Sequence, residues 1–372
     1  MKGGNSHGSS NRRILEFLLG IQQECEGVIP FERYMREALY HPLHGYYSRH
    51  IETVGRSGDF STSTTLDSNL GAALAAWITK RAQEFSWERI PIIEIGAGSG
   101  QLARLILRHL SWKLRGRVDY MIHEKSPVLE KEQRSRLRWR GVRWVRSLPE
   151  TLTRTSGRAL IFSNELVDAF PCKLFQRAGE SWQELGVSIS EEFGLTEKAF
   201  SRIPCDPWFS QFGNIPEGQR VEMTNSYREW ISSWYSNWHE GAILTIDYGD
   251  TAAKLYDRRP NGSLRAYWRH QRLTGANLFA RFGKQDLTAD VNFSDLIRWG
   301  DQLGWKTSLF QTQRDFIKSW IPENNLHGVL PDEVGEAFKV LEQQPFKPVV
   351  SQRISDRCLW EQEGSIQPDS RR

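Results

Sequence analysis

The chain has 372 residues, which is too long for one small module and suggests two units or one large α/β domain with insertions. Hydrophobic residues make up 39% and charged residues 25%, and 15 residues are Trp. This composition is typical of a globular protein with a sizeable core and argues against disorder. The formal net charge of +4 is too small to indicate nucleic-acid binding by itself.

The cysteines, the histidines and the N-terminal segment argue against several classes of protein. The four cysteines form no C-x-x-C pair, and no two histidines have metal-ligand spacing, so no metal site is predicted. The apolar stretches are too short to span a bilayer. Residues 1–11 resemble neither a secretory signal nor a mitochondrial presequence and are expected to be a disordered lead-in. These features predict a soluble cytoplasmic protein, with the mitochondrial matrix as the alternative.

Apolar spacing divides the chain into segments. Residues 12–60 contain apolar residues at helical spacing and are predicted to form a helical cap, followed by a helix at about 67–84. Residues 61–180 and 241–360 are predicted to form one core. Residues 181–240, with a hairpin pattern and then Trp230, Trp234 and Trp238 at helical spacing, are predicted to be an insertion. Residues 361–372 are expected to be a frayed tail.

The predicted core alternates strands and helices. Short apolar runs at 92–95, 118–123, 159–162 and 242–246 each end in polar residues, and helical patterns lie between them. This order predicts an α/β fold with a doubly wound, mostly parallel sheet. The polar residues that follow the strands are expected to gather at one sheet edge.

A glycine-rich turn after the first of these strands carries the strongest signal. Gly96, Gly98 and Gly100 alternate, which lets the backbone approach a nucleotide-like ligand. The spacing differs from the G-x-G-x-x-G of dinucleotide enzymes. Glu124 ends the next strand and can accept hydrogen bonds from ribose hydroxyls. Glu94 suits the cationic end of S-adenosylmethionine better than a pyrophosphate, so this cofactor is favoured over NAD.

Further segments complete a family resemblance. The sequence resembles the MidA family of S-adenosylmethionine-dependent methyltransferases, which includes a mitochondrial protein arginine methyltransferase that assists complex I assembly. The matching segments are Gly58-Asp59-Phe60-Ser61-Thr62, Glu94-Ile95-Gly96-Ala97-Gly98-Ser99-Gly100, His123-Glu124-Lys125-Ser126-Pro127, Asn164-Glu165-Leu166-Val167-Asp168-Ala169-Phe170-Pro171, Asp247-Tyr248-Gly249, Gly262-Ser263-Leu264-Arg265-Ala266-Tyr267 and Asp286-Leu287-Thr288-Ala289-Asp290-Val291-Asn292-Phe293.

The resemblance implies a Rossmann-like class I methyltransferase fold and methyl transfer to a protein, with arginine as the acceptor. By analogy with the family, a respiratory-complex subunit is a candidate partner. The chain departs from the family pattern after Phe60, where it reads Ser-Thr-Ser-Thr-Thr. This departure keeps a second hypothesis open, in which the chain is a non-catalytic binding or assembly module.

Candidate roles follow from charge and position. Glu165 and Asp168 could orient a guanidinium, or they could close a turn or cap a helix. Asn164 is a candidate for the adenine or methionine part of the cofactor, and Asp59 and Phe60 are candidates for cofactor contact. Three acidic residues further along the chain are candidates for substrate contact. Asp247 could hold the far side of the substrate pocket. Asp286 and Asp290 could form an acidic funnel for a basic peptide, or they could cap a helix at 292–303.

Other residues have a simpler interpretation. His44 and His270 are each more readily structural than catalytic. The arginine-rich run at 131–146 could touch RNA, but a solvated helix face followed by a strand explains it better. Nucleic acid is therefore not expected as a partner, and RNA methylation and NAD-dependent oxidation are the weaker alternatives. The Trp230, Trp234 and Trp238 stripe is expected to pack in a core or face a partner.

Overall fold

The computed structural model describes residues 6–50, 64–138, 140–190, 194–203, 206–268, 271–322, 324, 326 and 332–346. Asp59, Phe60, His270 and the tail at 361–372 lie outside the described residues. No helix in the described ranges combines the length and apolar character that crossing a bilayer requires.

Strands and helices alternate through most of the chain. The strands in these ranges are β1 Ile29–Pro30, β2 Ile90–Ile95, β3 Val118–His123, β4 Arg143–Val145, β5 Arg158–Asn164, β6 Lys173–Ala178, β7 Ser181–Ser190, β8 Gly194–Ile203, β9 Arg220–Met223, β10 Glu240–Asp250, β11 Arg265–Trp268, β12 Gln271–Leu273, β13 Asp286–Thr288, β14 Val291–Asn292, β15 Trp305–Thr312 and β16 Phe338–Pro345. The helices are α1 Ser6–Glu24, α2 Phe31–Tyr40, α3 Thr64–Phe85, α4 Gln101–His109, α5 Trp112–Arg115, α6 Pro127–Arg136, α7 Leu148–Arg154, α8 Asn225–Ser232, α9 Ala252–Leu255, α10 Phe293–Gln302, α11 Gln313–Trp320 and α12 Asp332–Ala337.

The central sheet has the order β15-β16-β10-β5-β2-β3-β4. The pairs from β10 to β4 are parallel, and β16 is antiparallel to both of its neighbours. The sheet is therefore mostly parallel and doubly wound, as predicted. The adjacent residues Ile92 and Ile93 are both fully buried and belong to core clusters on opposite faces. Helices cover both faces, which explains why these strands are continuously apolar.

Local sequence signals fix the helices beside this sheet. The helix predicted at about 67–84 is α3, and α6 lies between the predicted strands at 118–123 and 159–162, where a helical pattern was expected. The Ser126 hydroxyl accepts a hydrogen bond from the backbone N–H of Leu129, and Pro127 occupies the first helical position. Gly100 adopts a left-handed conformation immediately before α4. The strand–turn–helix unit inferred from the glycines is thereby confirmed.

A second sheet joins the inserted region to the cap. Its strand order is β1-β7-β6-β9, with β8 paired to β7. Ile29 of the cap lies opposite Val187 in an antiparallel pair. Strand β6 precedes residue 181 and pairs with β7, so the predicted boundary at 180 divides two neighbouring strands of one sheet.

The N-terminal cap is more ordered at its start than predicted. Helix α1 begins at Ser6, inside the segment expected to be a disordered lead-in. Leu18 and Ile21 are buried against the strands of the second sheet, and a helix anchored in this way extends outward at one hydrogen bond per added residue. Tyr34 of α2 packs edge-on against Phe279, with ring centroids 5.7 Å apart.

The tryptophan stripe is not one continuous helix. Helix α8 ends at Ser232, and a 3₁₀ turn at Tyr235–Asn237 follows. Trp234 and Trp238 are 1% and 2% exposed and both pack against Trp305, so the prediction of core packing is confirmed for them. The helical prediction was wrong beyond Ser232 because aromatic burial sets the spacing there, through turns as well as through helix.

Trp234→Ala should lower the free energy of unfolding by about 3–5 kcal/mol, because it removes a large fully buried side chain. Urea denaturation followed by circular dichroism measures this change. Trp112→Ala is the matched control, because Trp112 is 78% exposed, and its effect should stay within about 0.5 kcal/mol. Equal effects of the two variants would contradict the assignment of Trp234 to the core.

Candidate functional site

A cavity of about 830 Å³ lies beyond the carboxyl ends of β2, β3 and β5. Pockets of this size accommodate cofactors and drug-sized ligands. Most of the predicted site residues that lie on these strand ends contribute to its lining. They are Glu94, Gly96, Gly98, Glu124, Asn164, Glu165 and Asp168. The parallel arrangement thus brings together residues up to 74 positions apart in sequence, from Glu94 to Asp168, as the strand-end argument requires.

The glycine-rich turn has left-handed backbone at all three glycines. The φ angles of Gly96, Gly98 and Gly100 are +68°, +52° and +76°. Side chains other than glycine rarely adopt these angles. A Cβ atom on Gly96 would also lie 2.8 Å from Cδ1 of Leu166. The turn therefore needs glycine for backbone geometry and, at Gly96, for space.

Glu124 is held in place by residues of the next helix. Its Oε1 accepts a hydrogen bond from the backbone N–H of Ser126, at 2.9 Å, and its Oε2 accepts one from Gln133 Nε2, at 2.9 Å. Gln133 Nε2 also donates to the carbonyl oxygen of Gly98, at 2.8 Å. The fully buried Gln133 thus ties the carboxylate to the glycine-rich turn, a positioning task that sequence analysis missed.

Glu94 is almost completely buried at the end of β2. The hydroxyl of Tyr120 donates a hydrogen bond to its Oε2, at 2.8 Å. The pKa of Glu94 is raised to about 7, chiefly by burial; the Tyr120 hydrogen bond opposes this rise, and the charge of the nearby Glu124 adds to it. This carboxyl borders the cavity and changes its charge close to neutral pH.

The segment after β5 turns sharply at Glu165, whose φ angle is +51°. Asn164 Nδ2 donates to Glu165 Oε1, at 3.1 Å, while Asn164 Oδ1 is buried without a hydrogen-bond partner. Left-handed non-glycine residues cluster at functional sites. Glu165 and Asp168 do not share a helix face, because a 3₁₀ turn begins only at Val167. Both side chains nevertheless line the cavity.

Asp247 supports this turn from beneath. Its Oδ2 accepts hydrogen bonds from the backbone N–H groups of Leu166, Val167 and Asp168, at 3.1, 2.8 and 3.3 Å. Asp247 is fully buried and does not line the cavity. The predicted role in substrate binding does not fit this placement, because its carboxylate is engaged with the backbone. Its placement is that of a positioning residue.

The two aspartates of the Asp-Leu-Thr-Ala-Asp segment are also set back from the cavity. Asp286 accepts a hydrogen bond from Tyr47, and Asp290 forms ion pairs with Arg259 and Arg265. Neither caps α10, because Asn292 fills that position and accepts from the backbone N–H of Ser294. An acidic funnel at Asp290 does not fit either, because its charge is already paired inside the protein.

Asp168, the last residue of the 165–168 turn, lines the cavity and is buried, at 7% exposure. Burial raises its pKa to about 6, Arg265 lowers it and Asp290 raises it. His44 does not line the cavity, and its ring lies 4.9 Å from that of His41, which agrees with a structural role.

Four aromatic residues that sequence analysis did not place in the site form a large part of the wall. Tyr40 and Tyr47 come from the cap and stack with ring centroids 5.5 Å apart. Phe170 and Trp230 lie together with centroids 5.4 Å apart. Trp230 carried a sequence signal as part of the tryptophan stripe, and Phe170 lies in one of the segments that match the family pattern. Aromatic faces beside carboxylates favour a cationic ligand.

The residues present fit S-adenosylmethionine. The left-handed glycine turn admits close backbone approach, Glu124 provides an acceptor for sugar hydroxyls, and the partnerless Oδ1 of Asn164 can accept a hydrogen bond from an amine. Acidic Glu94 suits a cationic methionine end. No group of three His, Cys, Asp or Glu side chains within the described ranges is arranged to hold a metal ion.

Comparison with known proteins agrees with this assignment. Residues 73–311 match the family described as "Putative S-adenosyl-L-methionine-dependent methyltransferase", and the chain belongs to that family. The predicted class of enzyme and its cofactor, S-adenosylmethionine, are confirmed by this membership.

Two relatives are named protein arginine methyltransferase NDUFAF7, mitochondrial. The Danio rerio protein is 28% identical over 344 residues, covering 84% of this chain and 78% of its own. The Mus musculus protein is 28% identical over 366 residues, covering 90% and 80%. Their names give no support to the predicted cytoplasmic location.

A crystal structure from Burkholderia thailandensis, bound to S-adenosyl-homocysteine, superimposes with a TM-score of 0.74. The two chains are 24% identical, and the match covers 92% of this chain and 95% of the other. This likeness confirms the predicted fold over nearly the whole length.

Glu124→Ala should weaken S-adenosylmethionine binding about 10- to 100-fold, because one or two hydrogen bonds to a charged group are lost. Isothermal titration calorimetry measures the affinity. Glu132→Ala, on the helix α6 that follows Glu124, is the control and should bind as wild type does, because Glu132 does not line the cavity. Unchanged affinity of Glu124→Ala would remove this carboxylate from the sugar site.

Asp247→Ala should destabilise the protein by about 1–3 kcal/mol, because buried backbone N–H groups lose their acceptor. Asp247→Asn should cost less, since an amide oxygen still accepts. Thermal and urea unfolding measure both variants. The control is Asp257→Ala, whose carboxylate is 70% exposed, and it should be neutral. Equal stability of all three variants would contradict the supporting role of Asp247.

Proposed function

We propose that this chain transfers the methyl group of S-adenosylmethionine to an arginine side chain of a protein. One observation carries the proposal: Glu165 and Asp168 line the same cavity as the glycine-rich turn. Acceptor and cofactor could therefore meet within one enclosure. The arginine acceptor is also supported by the relatives, which are named protein arginine methyltransferases.

At the cofactor end of the cavity, the protein acts by positioning the cofactor. Glu124 would bind the sugar, the turn at Gly96 and Gly98 would hold the methionine portion closely, and Asn164 would accept a hydrogen bond. Bound S-adenosylmethionine supplies an electrophilic methyl group on a sulfonium. The protein then needs to align the nucleophile with that methyl group and exclude water, since the reaction is an in-line displacement.

The acceptor end of the cavity suits a planar cation. Glu165 and Asp168 can accept hydrogen bonds from a guanidinium and offset its cost of desolvation. Glu229 adds a further carboxyl to the cavity lining, which also includes the rings of Phe170 and Trp230. These groups would hold one nitrogen toward the methyl group while the others remain hydrogen-bonded. The left-handed backbone at Glu165 sets the direction in which its side chain leaves the main chain.

The arginine-rich run gives no comparable support to RNA methylation. Its cations are engaged with neighbouring carboxylates in several places. Arg134 and Arg146 pair with Glu130, Arg136 pairs with Glu132, and Arg143 pairs with Asp119. Trp144 packs under Arg134, with the guanidinium carbon 4.3 Å from the ring centroid. These ion pairs neutralise positive charge that would otherwise attract phosphate groups.

Partner and location are proposed from the relatives alone. Both are named mitochondrial, so the mitochondrial matrix is favoured over the cytoplasm. A respiratory-complex subunit remains the proposed protein partner by family analogy. Mass spectrometry of methylated peptides from cells with and without this gene identifies the acceptor directly. Loss of methylation at lysine sites alone would contradict the arginine assignment.

Glu165→Gln should leave S-adenosylmethionine affinity within a few fold and reduce methyl transfer at least about 100-fold, because a charged acceptor aimed at the guanidinium is lost. The assay measures transfer of radiolabelled methyl to two peptides that differ only in Arg or Lys. Glu150→Gln, at a site 71% exposed, is the control. Undiminished labelling by Glu165→Gln would exclude Glu165 from the transfer. Equal labelling of both peptides would exclude arginine specificity.

A further inference from the structure

Asp286 lies directly behind the cavity wall. It occupies the first position of β13 and is fully buried. The hydroxyl of Tyr47, which lines the cavity, donates a hydrogen bond to Asp286 Oδ1 at 2.9 Å. Tyr47 belongs to a π-helical turn at Tyr46–His50, a conformation frequent at functional sites. Tyr47 therefore connects the cavity with a carboxyl that does not itself reach it.

The other oxygen of Asp286 is without a partner. Oδ2 is buried and has no hydrogen bond, and the hydroxyl of Thr288, two positions along the same strand face, is equally unpaired. A buried carboxylate oxygen without a partner is costly, because it has lost water and gained nothing in return. Such a group is exceptional in a folded protein and calls for an explanation beyond packing.

The charged and titratable groups around Asp286 come from several elements. Asp168 follows β5 and lines the cavity, Arg265 lies on the neighbouring β11, and Tyr47 belongs to the π-helical turn. Burial raises the pKa of Asp286 to about 7, and Asp168 adds to this, while Tyr47 and Arg265 lower it. Tyr40 of α2 experiences the fields of Asp286, Asp168 and Glu124 together. Tyr40 therefore lies within electrostatic range of all three carboxyls.

Methylation of a guanidinium releases a proton. The nitrogen–carbon bond forms as the carbon–sulfur bond breaks, and the electron pair of that bond stays on sulfur. The product remains a cation, so one N–H proton must leave for each methyl group gained. An enclosed cavity that excludes water needs an internal group to accept that proton.

We propose that Asp286 takes up this proton through the hydroxyl of Tyr47. The acceptor nitrogen gives its proton to the Tyr47 oxygen as Tyr47 gives its own to Asp286 Oδ1, and the electron pair of the broken N–H bond stays on nitrogen. Tyr47 ends as it began, and Asp286 changes from carboxylate to carboxylic acid. This inference rests on the proposed function, and it makes Asp286 a residue that acts through Tyr47.

The direction of the pH dependence follows from this role. Only ionised Asp286 can accept the proton, so the rate of methyl transfer should fall as the pH drops below about 7 and level off above it. Burial raises the pKa of Tyr47, so its hydroxyl keeps a proton to donate throughout this range. Glu94 and Asp168 also titrate near this range, which is why the variants below are needed.

Single-turnover transfer of radiolabelled methyl to the Arg peptide, measured from about pH 5 to pH 9, tests the proposal. Asp286→Asn should lower the plateau rate at least about 10-fold and abolish the decline at low pH. Tyr47→Phe should do the same, and the double variant should lose no more than either single variant. Asp286→Glu should restore part of the rate together with the pH dependence.

Tyr34→Phe provides the matched control. Tyr34 is another buried tyrosine of the cap, and its hydroxyl donates to the carbonyl oxygen of Phe279, away from the cavity lining. This variant should keep the wild-type pH profile. S-adenosylmethionine affinity, measured by calorimetry on each variant, reports folding and should stay within a few fold. If Asp286→Asn does not fold, Tyr47→Phe carries the same test.

The possible failures can be told apart. A wild-type protein that labels no arginine peptide would overturn the proposed function, and this inference with it, before any variant is compared. An active wild type with an unchanged decline at low pH in Asp286→Asn or Tyr47→Phe would overturn the proton route alone. A double variant far slower than both single variants would also overturn it, because the two residues would then act independently.

Discussion

A single buried carboxylate supports the geometry of the site. Asp247 accepts hydrogen bonds from three successive backbone N–H groups after β5 and from the N–H of Tyr248. This arrangement holds the chain in a tight turn, in which Glu165 adopts a left-handed φ angle that isolated residues avoid. The strain at Glu165 persists because the hydrogen bonds beneath it leave the turn no alternative. Asp247 thereby holds the backbone that carries Glu165 and Asp168.

The concentration of carboxyls around the cavity has a physical cost. Burial raises the pKa of Glu94, Glu124, Asp168 and Asp286. A carboxyl whose pKa is raised on folding is less favourable in its ionised form. These four groups therefore lower the stability of the folded state as the pH rises from the ordinary carboxyl range to their raised pKa values. The ion pair of Arg265 with Asp290 places one cation beside them. A cationic ligand would supply a further positive charge, so the acidic lining favours cations over anions.

Sequence reasoning predicted the features that depend on local pattern. Glu124, Asn164 and Glu165 could be placed at one edge because each follows a buried parallel strand, and the glycine spacing indicated the ligand class. Sequence reasoning failed where contacts between residues far apart in sequence determine the position of a side chain. Tyr47 and Asp286 are 239 positions apart, and no local pattern pairs them. Gln133 appeared only as one polar residue of a helix. Asp247, Asp286 and Asp290 were grouped by charge, yet one supports a turn, one meets Tyr47 and one pairs with arginines.

The cap is more than a cover over the cavity. Ile29 pairs with Val187 and α2 packs on Phe279, so the cap is fixed to the second sheet and to the segment that precedes β13. The same docking brings Tyr40 and Tyr47 to the cavity, where Tyr40 donates to the carbonyl oxygen of Ala169 at 2.8 Å and Tyr47 donates to Asp286. The first hydrogen bond joins the cap to the turn that follows β5, and the second joins it to the first residue of β13. The aromatic wall of the cavity is thus complete only when the cap is docked, because Tyr40 and Tyr47 of the cap form half of it. A substitution that loosens the cap should therefore disturb this wall before it disturbs the glycine-rich turn.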